Sequence, residues 1–104
     1  MSENRSSNED PRERAIALLE ATHQFPVEYD VSIVTVTEEA VVAEVRAAVE
    51  FGLAAPLPED AYTTVLSSAG RYASHRFRVP VASAEAVLAL YDRLRKIEGV
   101  KSIL

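Results

Sequence analysis

Few side chains in this sequence are of the types that carry out catalysis. Cysteine is absent, which excludes thiol nucleophiles, disulfides and cysteine-ligated zinc together. No serine lies in a G-x-S-x-G motif, the strained turn that exposes a nucleophilic hydroxyl. The only imidazoles are His23 and His75, and neither has a carboxylate three or four residues later to share a metal. The sequence therefore predicts a protein that is not an enzyme, with no metal site and no cofactor.

Adjacent carboxylates occur twice within residues 11–104, and both pairs have a structural explanation. Glu38 and Glu39 stand where a helix is expected to begin, and acidic side chains are favoured at that positive end. Glu59 and Asp60 fall in a loop before a strand. Acid-base catalysis needs two environments that move the two pKa values apart, and neither pair indicates one.

One turn combines a basic side chain with a flexible backbone and free N–H groups. It contains Ser67, Ser68, Gly70 and Arg71, which we take as a candidate ligand-binding site because such a loop can hold an anion. The alternative is a tight turn that needs glycine only for its positive φ angle.

Length and charge limit the remaining classes of function. The chain has 104 residues, 48% hydrophobic and 26% charged, which is the size and composition of one globular domain. Its net charge of -5 argues against nucleic-acid binding, which needs a basic surface. No apolar run approaches the length of a membrane span, and no targeting segment is evident. We expect a cytoplasmic protein with no membrane contact.

The pattern of apolar residues predicts a disordered tail over residues 1–10 and a single domain over 11–104. Asp10 and Pro11 are typical of a helix start, and this short helix should end near Thr22. Thr37 and Ser83 are the expected N-caps of two longer helices, and Gly52 and Gly99 are expected to end them. The predicted strands are residues 27–36, 61–68, 72–81 and 100–104.

The resulting order, a short helix followed by β-α-β-β-α-β, predicts an α+β protein with a ferredoxin-like fold. The strand order would be 4-1-3-2 in an antiparallel sheet, with both long helices on one face. His75 is in phase with Phe77 and Val79, which indicates a core residue and not a catalytic base.

In this topology the first and third strands are neighbours, and four charged side chains share the face away from the helices. These are Glu28, Asp30, Arg76 and Arg78. Opposite charges on adjacent strands are worth about 0.2–1 kcal/mol per pair. The face is either a solvated, charge-balanced surface or a polar interface for a partner or a second copy.

Taken together, several segments resemble the YbeD-like family of small bacterial proteins, from about Leu18 to Leu104. The segments that carry the resemblance are Phe25-Pro26 with Tyr29, residues 67–72 (SSAGRY), residues 90–94 (LYDRL) and residues 97–101 (IEGVK) with Leu104. The resemblance implies a ferredoxin-like fold close to the ACT regulatory domains and a lipoate-related regulatory role, and it carries no catalytic residues.

The sequence departs from amino-acid-binding ACT domains at the loop after the first strand. Residues 36–39 contain no glycine and two acids, which disfavours binding of a carboxylate there. We therefore expect a non-catalytic regulatory or interaction module that acts by protein association, with the edge strand 61–68 as one contact surface. The alternative is a small-molecule sensor for a lipoate-like or amino-acid-like ligand.

Overall fold

The computed structural model describes residues 10–51, 53 and 57–104. The predicted tail, apart from Asp10, and the predicted cap at Gly52 lie outside these residues. The helices are α1 (Pro11–Thr22), α2 (Glu39–Glu50) and α3 (Ala84–Arg95), and Glu59–Ala61 forms a 3-10 turn. The strands are β1 (Val27–Val36), β2 (Tyr62–Leu66), β3 (Tyr72–Val81) and β4 (Val100–Ile103). None of the described helices is long and apolar enough to cross a membrane.

The four strands form one antiparallel sheet in the order β2-β3-β1-β4. This confirms the α+β class and the predicted strand order, in which the two long strands lie side by side at the centre. β1 and β3 pair over ten residues, from Val27 opposite Val81 to Val36 opposite Tyr72. β2 is therefore at one edge of the sheet and β4 is at the other.

The core lies between one face of the sheet and the helices. Alternate side chains of β1 and β3, including Val31, Ile33 and Phe77, are fully buried against the apolar stripes of α2 and α3. Burial of each such side chain stabilises the fold by about 1.5–3 kcal/mol. The helix residues in this cluster are Val41, Val45, Val49, Val87, Leu90 and Leu94.

Two of the three predicted N-caps are confirmed. The Asp10 carboxylate accepts a hydrogen bond from the N–H of Arg12 at 3.0 Å, and the Ser83 hydroxyl accepts one from the N–H of Ala86 at 3.2 Å. The prediction for α2 is wrong, because its N-cap residue is Glu38, with no capping bond from the side chain. The Thr37 hydroxyl instead donates to the carbonyl of Gly70 at 3.0 Å, so it ties the end of β1 to the β2–β3 turn.

Gly99 does not end α3, whose last residue is Arg95, with Lys96 as its C-cap. It lies in the turn before β4 with a φ angle of +99°. A Cβ atom at this position would stand 2.9 Å from Cγ2 of Val41, closer than carbon atoms in proteins approach. Both the backbone angle and the close packing against α2 therefore require glycine here.

Candidate functional site

The face of the sheet away from the helices, which we call the open face, is divided into an apolar end and a charged end. Side chains of this face alternate along β1 and β3 with the buried ones, and all are exposed or half-exposed. Its apolar end carries Val34, Val65 and Tyr72, and Val65 is 67% exposed. The open face therefore exposes an apolar surface next to a charged one.

The charged end contains all four charged residues predicted for this face. Asp30 stands directly opposite Arg78, and its Oδ1 lies 3.7 Å from the Arg78 Nε. Glu28 stands opposite Pro80, so it has no arginine across the strand pair. Arg76 stands opposite Ser32 on one side and Thr63 on the other. The structure therefore forms one of the expected cross-strand ion pairs, between two largely exposed side chains.

A polar cleft of about 180 Å³ lies at this charged end, between the sheet and the 3-10 turn. The residues that line it include Arg76 and Arg78 and the acidic Asp30 and Asp60. Groups of both signs in one small cleft can bind a ligand that carries both a carboxylate and an amine.

The β2–β3 turn uses most of its polar groups internally. The N–H of Ser67 donates to the carbonyl of Tyr72 at 2.8 Å, and the Ser67 hydroxyl accepts from the N–H of Tyr72 at 3.2 Å. Gly70 has a φ of +75°, and its N–H donates to the carbonyl of Ser67. Ser68 and Arg71 are exposed on the same turn. The four predicted site residues are thus brought together, with Ser67 and Gly70 engaged in closing the turn.

The outward-facing edge of β2 is a feature that residue types alone did not define. Residues of an antiparallel pair alternate between those bonded to the partner strand and those whose N–H and C=O groups point away. Ser67 bonds to Tyr72, so Thr63 and Val65 also bond to β3. Thr64 and Leu66 then direct their backbone groups outward. The N–H of Tyr62 agrees with this phase, because it bonds outward to the carbonyl of Glu59.

Among the residues that the structure describes, the β2 edge lacks the charge, the proline and the bulge that commonly protect an edge strand. Its five residues, YTTVL, include no charge and no proline, and its register with β3 is unbroken. Leu66 is 61% exposed on the helix side of the edge, where the adjacent Thr64 is also exposed. Edge strands of this kind readily accept another strand. β4 differs, since its register with β1 shifts at Val34 and Thr35 and it carries the exposed Lys101.

His75 occupies the buried side of the sheet, as its phase predicted, and is 1% exposed. The Thr35 hydroxyl donates its one hydrogen to the carbonyl of Val36 at 2.8 Å, so it accepts from Nε2–H of His75 at 2.9 Å. Nδ1 then accepts from the hydroxyls of Tyr62 at 3.0 Å and Thr64 at 3.3 Å. Burial lowers the pKa of His75, which favours this neutral ring.

A second pair of hydroxyls joins β1 to α3. The Tyr29 and Tyr91 hydroxyl oxygens are 3.2 Å apart, with the rings edge to face. Burial raises the pKa of Tyr91, and the hydrogen bond with Tyr29 raises it further. Tyr91 therefore keeps its proton and acts as a hydrogen-bonding core aromatic. Within the described ranges, no three His, Asp or Glu side chains are grouped so that they could hold a metal ion.

These features define an α+β protein whose four-stranded sheet is packed by helices on one face, with an open second face and an unprotected edge. A family model described as "Protein of unknown function (DUF493)" matches residues 20–104. The chain belongs to this family, which is the YbeD-like family that its sequence resembles. No curated protein matches the chain.

Proposed function

We propose that this chain is a non-catalytic interaction module that acts by associating with another polypeptide strand at the edge of β2. The observation that carries the proposal is the outward direction of the backbone groups of Thr64 and Leu66 on an uncharged, regular edge strand. Main-chain hydrogen bonds to an added strand supply affinity in this mode of recognition, and the side chains beside them supply selectivity.

The proposal includes a ferredoxin-like fold related to the ACT regulatory domains, in which β1-α2-β2 and β3-α3-β4 are the two halves. The element order and the strand order support it. In such a fold the sheet is free to extend at β2, since the hairpin partner β3 lies on the inner side of that strand only. Regulation would then follow from which strand is bound.

The substitution Leu66→Pro tests this function. Proline removes the outward N–H and leaves the bonds between β2 and β3 in place, and edge strands tolerate proline. Leu66→Ala is the matched control, because it removes the exposed side chain but keeps the N–H. Both variants should remain folded by circular dichroism.

We expect Leu66→Pro to abolish association, measured by light scattering over a range of concentrations and by capture with the tagged chain as bait. Leu66→Ala should weaken association without abolishing it. If Leu66→Pro associates as the unchanged chain does, or if the unchanged chain stays at 11.4 kDa and captures nothing, the edge is not the functional surface.

A small-molecule sensor is the second candidate, and the polar cleft between Asp30, Asp60, Arg76 and Arg78 favours it. A ligand with a carboxylate and an amine, such as an amino acid, has the matching pair of charges. Leu66 does not line this cleft, so Leu66→Pro should leave ligand binding unchanged. Loss of association in that variant therefore separates the two candidate functions.

A further inference from the structure

We infer that the strand added at the β2 edge is β2 of a second copy of this chain, antiparallel to the first, with the two-fold axis at Val65. The inference rests on the proposed function and names its partner. It follows from three properties of the edge: the phase of its backbone groups, its exposed apolar side chains and the charges at its two ends.

The phase of the backbone groups selects the register. Thr64 and Leu66 direct their N–H and C=O groups outward, whereas the outward N–H of Tyr62 is already bonded to Glu59. When Thr64 of one copy stands opposite Leu66 of the other, each of these two pairs exchanges two hydrogen bonds. Four bonds then satisfy all the outward groups of both residues, and Val65 faces Val65 of the second copy.

The exposed side chains are complementary to themselves in this register. Val65 lies on the open face and is 67% exposed, and the two copies of it become a non-hydrogen-bonded pair, the closer kind of cross-strand pair. On the helix side, Leu66 of each copy lies beside Thr64 of the other. Both apolar side chains of the edge are therefore covered by the same contact.

The charges at the two ends of β2 also match. The acidic residues Glu59 and Asp60 precede the strand, and the exposed Arg71 follows it in the turn. An antiparallel copy brings the acidic end of each chain toward the basic turn of the other. A parallel arrangement would instead place Glu59 and Asp60 beside their own copies, where like charges repel.

The contact joins the two sheets into one continuous sheet of eight strands with both helical layers on the same side. Its free length is only residues 63–67, because the bond from Tyr62 to Glu59 closes the edge beyond it. An interface this short falls at the small end of specific protein contacts, so we expect a weak and reversible dimer. Covalent trapping is the appropriate test for such a dimer.

The absence of cysteine from the chain makes the trapping experiment specific. In Val65→Cys the two sulfur-bearing residues face each other across the axis, with Cα atoms about 4.5 Å apart, which suits a disulfide. Thr63→Cys is the matched control, since Thr63 is exposed on the same face of β2. Its two copies would be separated by four residues along the strand, roughly 13 Å, which is too far for a disulfide.

Under mild oxidation we expect Val65→Cys to form a covalent dimer on non-reducing gels, at least about tenfold faster than Thr63→Cys. Equal rates for the two variants, or no dimer from Val65→Cys, would overturn the inference. The proposed function would still stand in the second case if Leu66→Pro abolished capture of a different protein. If Val65→Cys forms no dimer and Leu66→Pro captures the same proteins as the unchanged chain, the proposed function is overturned as well.

Discussion

His75 shows how a polar residue can be accommodated on the buried side of a sheet. Its ring nitrogens bond to hydroxyls from β1 and β2, so both neighbours of β3 contribute to holding it. A buried polar group without partners would cost about 1–3 kcal/mol, and this ring has partners at both nitrogens. The parallel stack of the Tyr62 ring on it, and the Arg46 guanidinium 5.0 Å from the centre of the Tyr62 ring, complete the surroundings.

Protonation of His75 should make stability depend on pH. Its pKa in the folded protein is lowered by burial, so below the unfolded value of 6.5 the unfolded chain binds more protons than the folded one. The free energy of unfolding should therefore fall as the pH decreases from 6.5 and level off below the folded pKa. A folded-state pKa that is lower by one unit corresponds to a loss of about 1.4 kcal/mol in the free energy of unfolding at low pH. From roughly one pH unit above 6.5 upward, this residue contributes almost no slope.

Urea unfolding at pH values from about 7.5 to about 5 measures how the free energy of unfolding changes with pH. This range extends roughly one unit or more to each side of an ordinary histidine pKa. His75→Gln should remove the slope, although it destabilises the fold at every pH, and His23→Gln at the half-exposed histidine should retain it. A slope that survives in His75→Gln would contradict a neutral, buried His75.

The contacts of single residues could be predicted from the sequence only in part. The alternation of β3 placed His75 in the core correctly, but its partner Thr35 is 40 residues away in the chain, so only the folded register joins them. Thr37 was misassigned for a related reason. A threonine before two glutamates is a typical helix cap, and a contact with the distant Gly70 outweighed that local preference.

At the scale of the element, the pairing of β1 with β3 decides which charges meet. Asp30 faces Arg78, whereas Glu28 faces Pro80. The sequence placed all four charged residues on one face, because alternation fixes the face of a strand. It did not fix the register, which assigns a partner to each residue.

Charge reversal tests this register. Asp30→Arg should lower the free energy of unfolding by about 0.2–1 kcal/mol, since it replaces an attraction with a repulsion across the strand pair. The pair is largely exposed, so the effect should shrink at high salt. Glu28→Arg is the matched control and should change stability by less.

Adding Arg78→Asp to Asp30→Arg should restore most of the loss, because the swapped pair attracts again. Urea unfolding of the four proteins gives the comparison. An equal loss in Glu28→Arg, or no recovery in the double variant, would mean that the register does not determine the interaction.

The two edge strands differ in a way that strand prediction does not reveal. The sequence identified β2 as an edge, but it assigned residues 61–68 to a strand that spans only Tyr62–Leu66. The shorter strand results from the 3-10 turn at Glu59–Ala61 and from the closing bonds of Ser67. Those same bonds set which backbone groups face outward, and that information is available only from the folded chain.

At the scale of the whole molecule, the apolar periodicity was sufficient for the α+β class and the strand order. Regular alternation in β1 and β3 and helical stripes in α2 and α3 left few ways to enclose one core. The function was less accessible, since the surfaces that support it are defined by exposure and by backbone direction. Neither property is carried by a motif of side chains.

Exchange of the backbone amide hydrogens of β2, followed by NMR at increasing protein concentration, tests strand addition at this edge directly. Thr63 and Val65 bond to β3 and should be protected at every concentration. Thr64 and Leu66 should exchange rapidly in dilute protein and become protected as the concentration rises, because an added strand satisfies their N–H groups. Rapid exchange of both amides at all concentrations, in a protein that nevertheless associates, would contradict strand addition at β2.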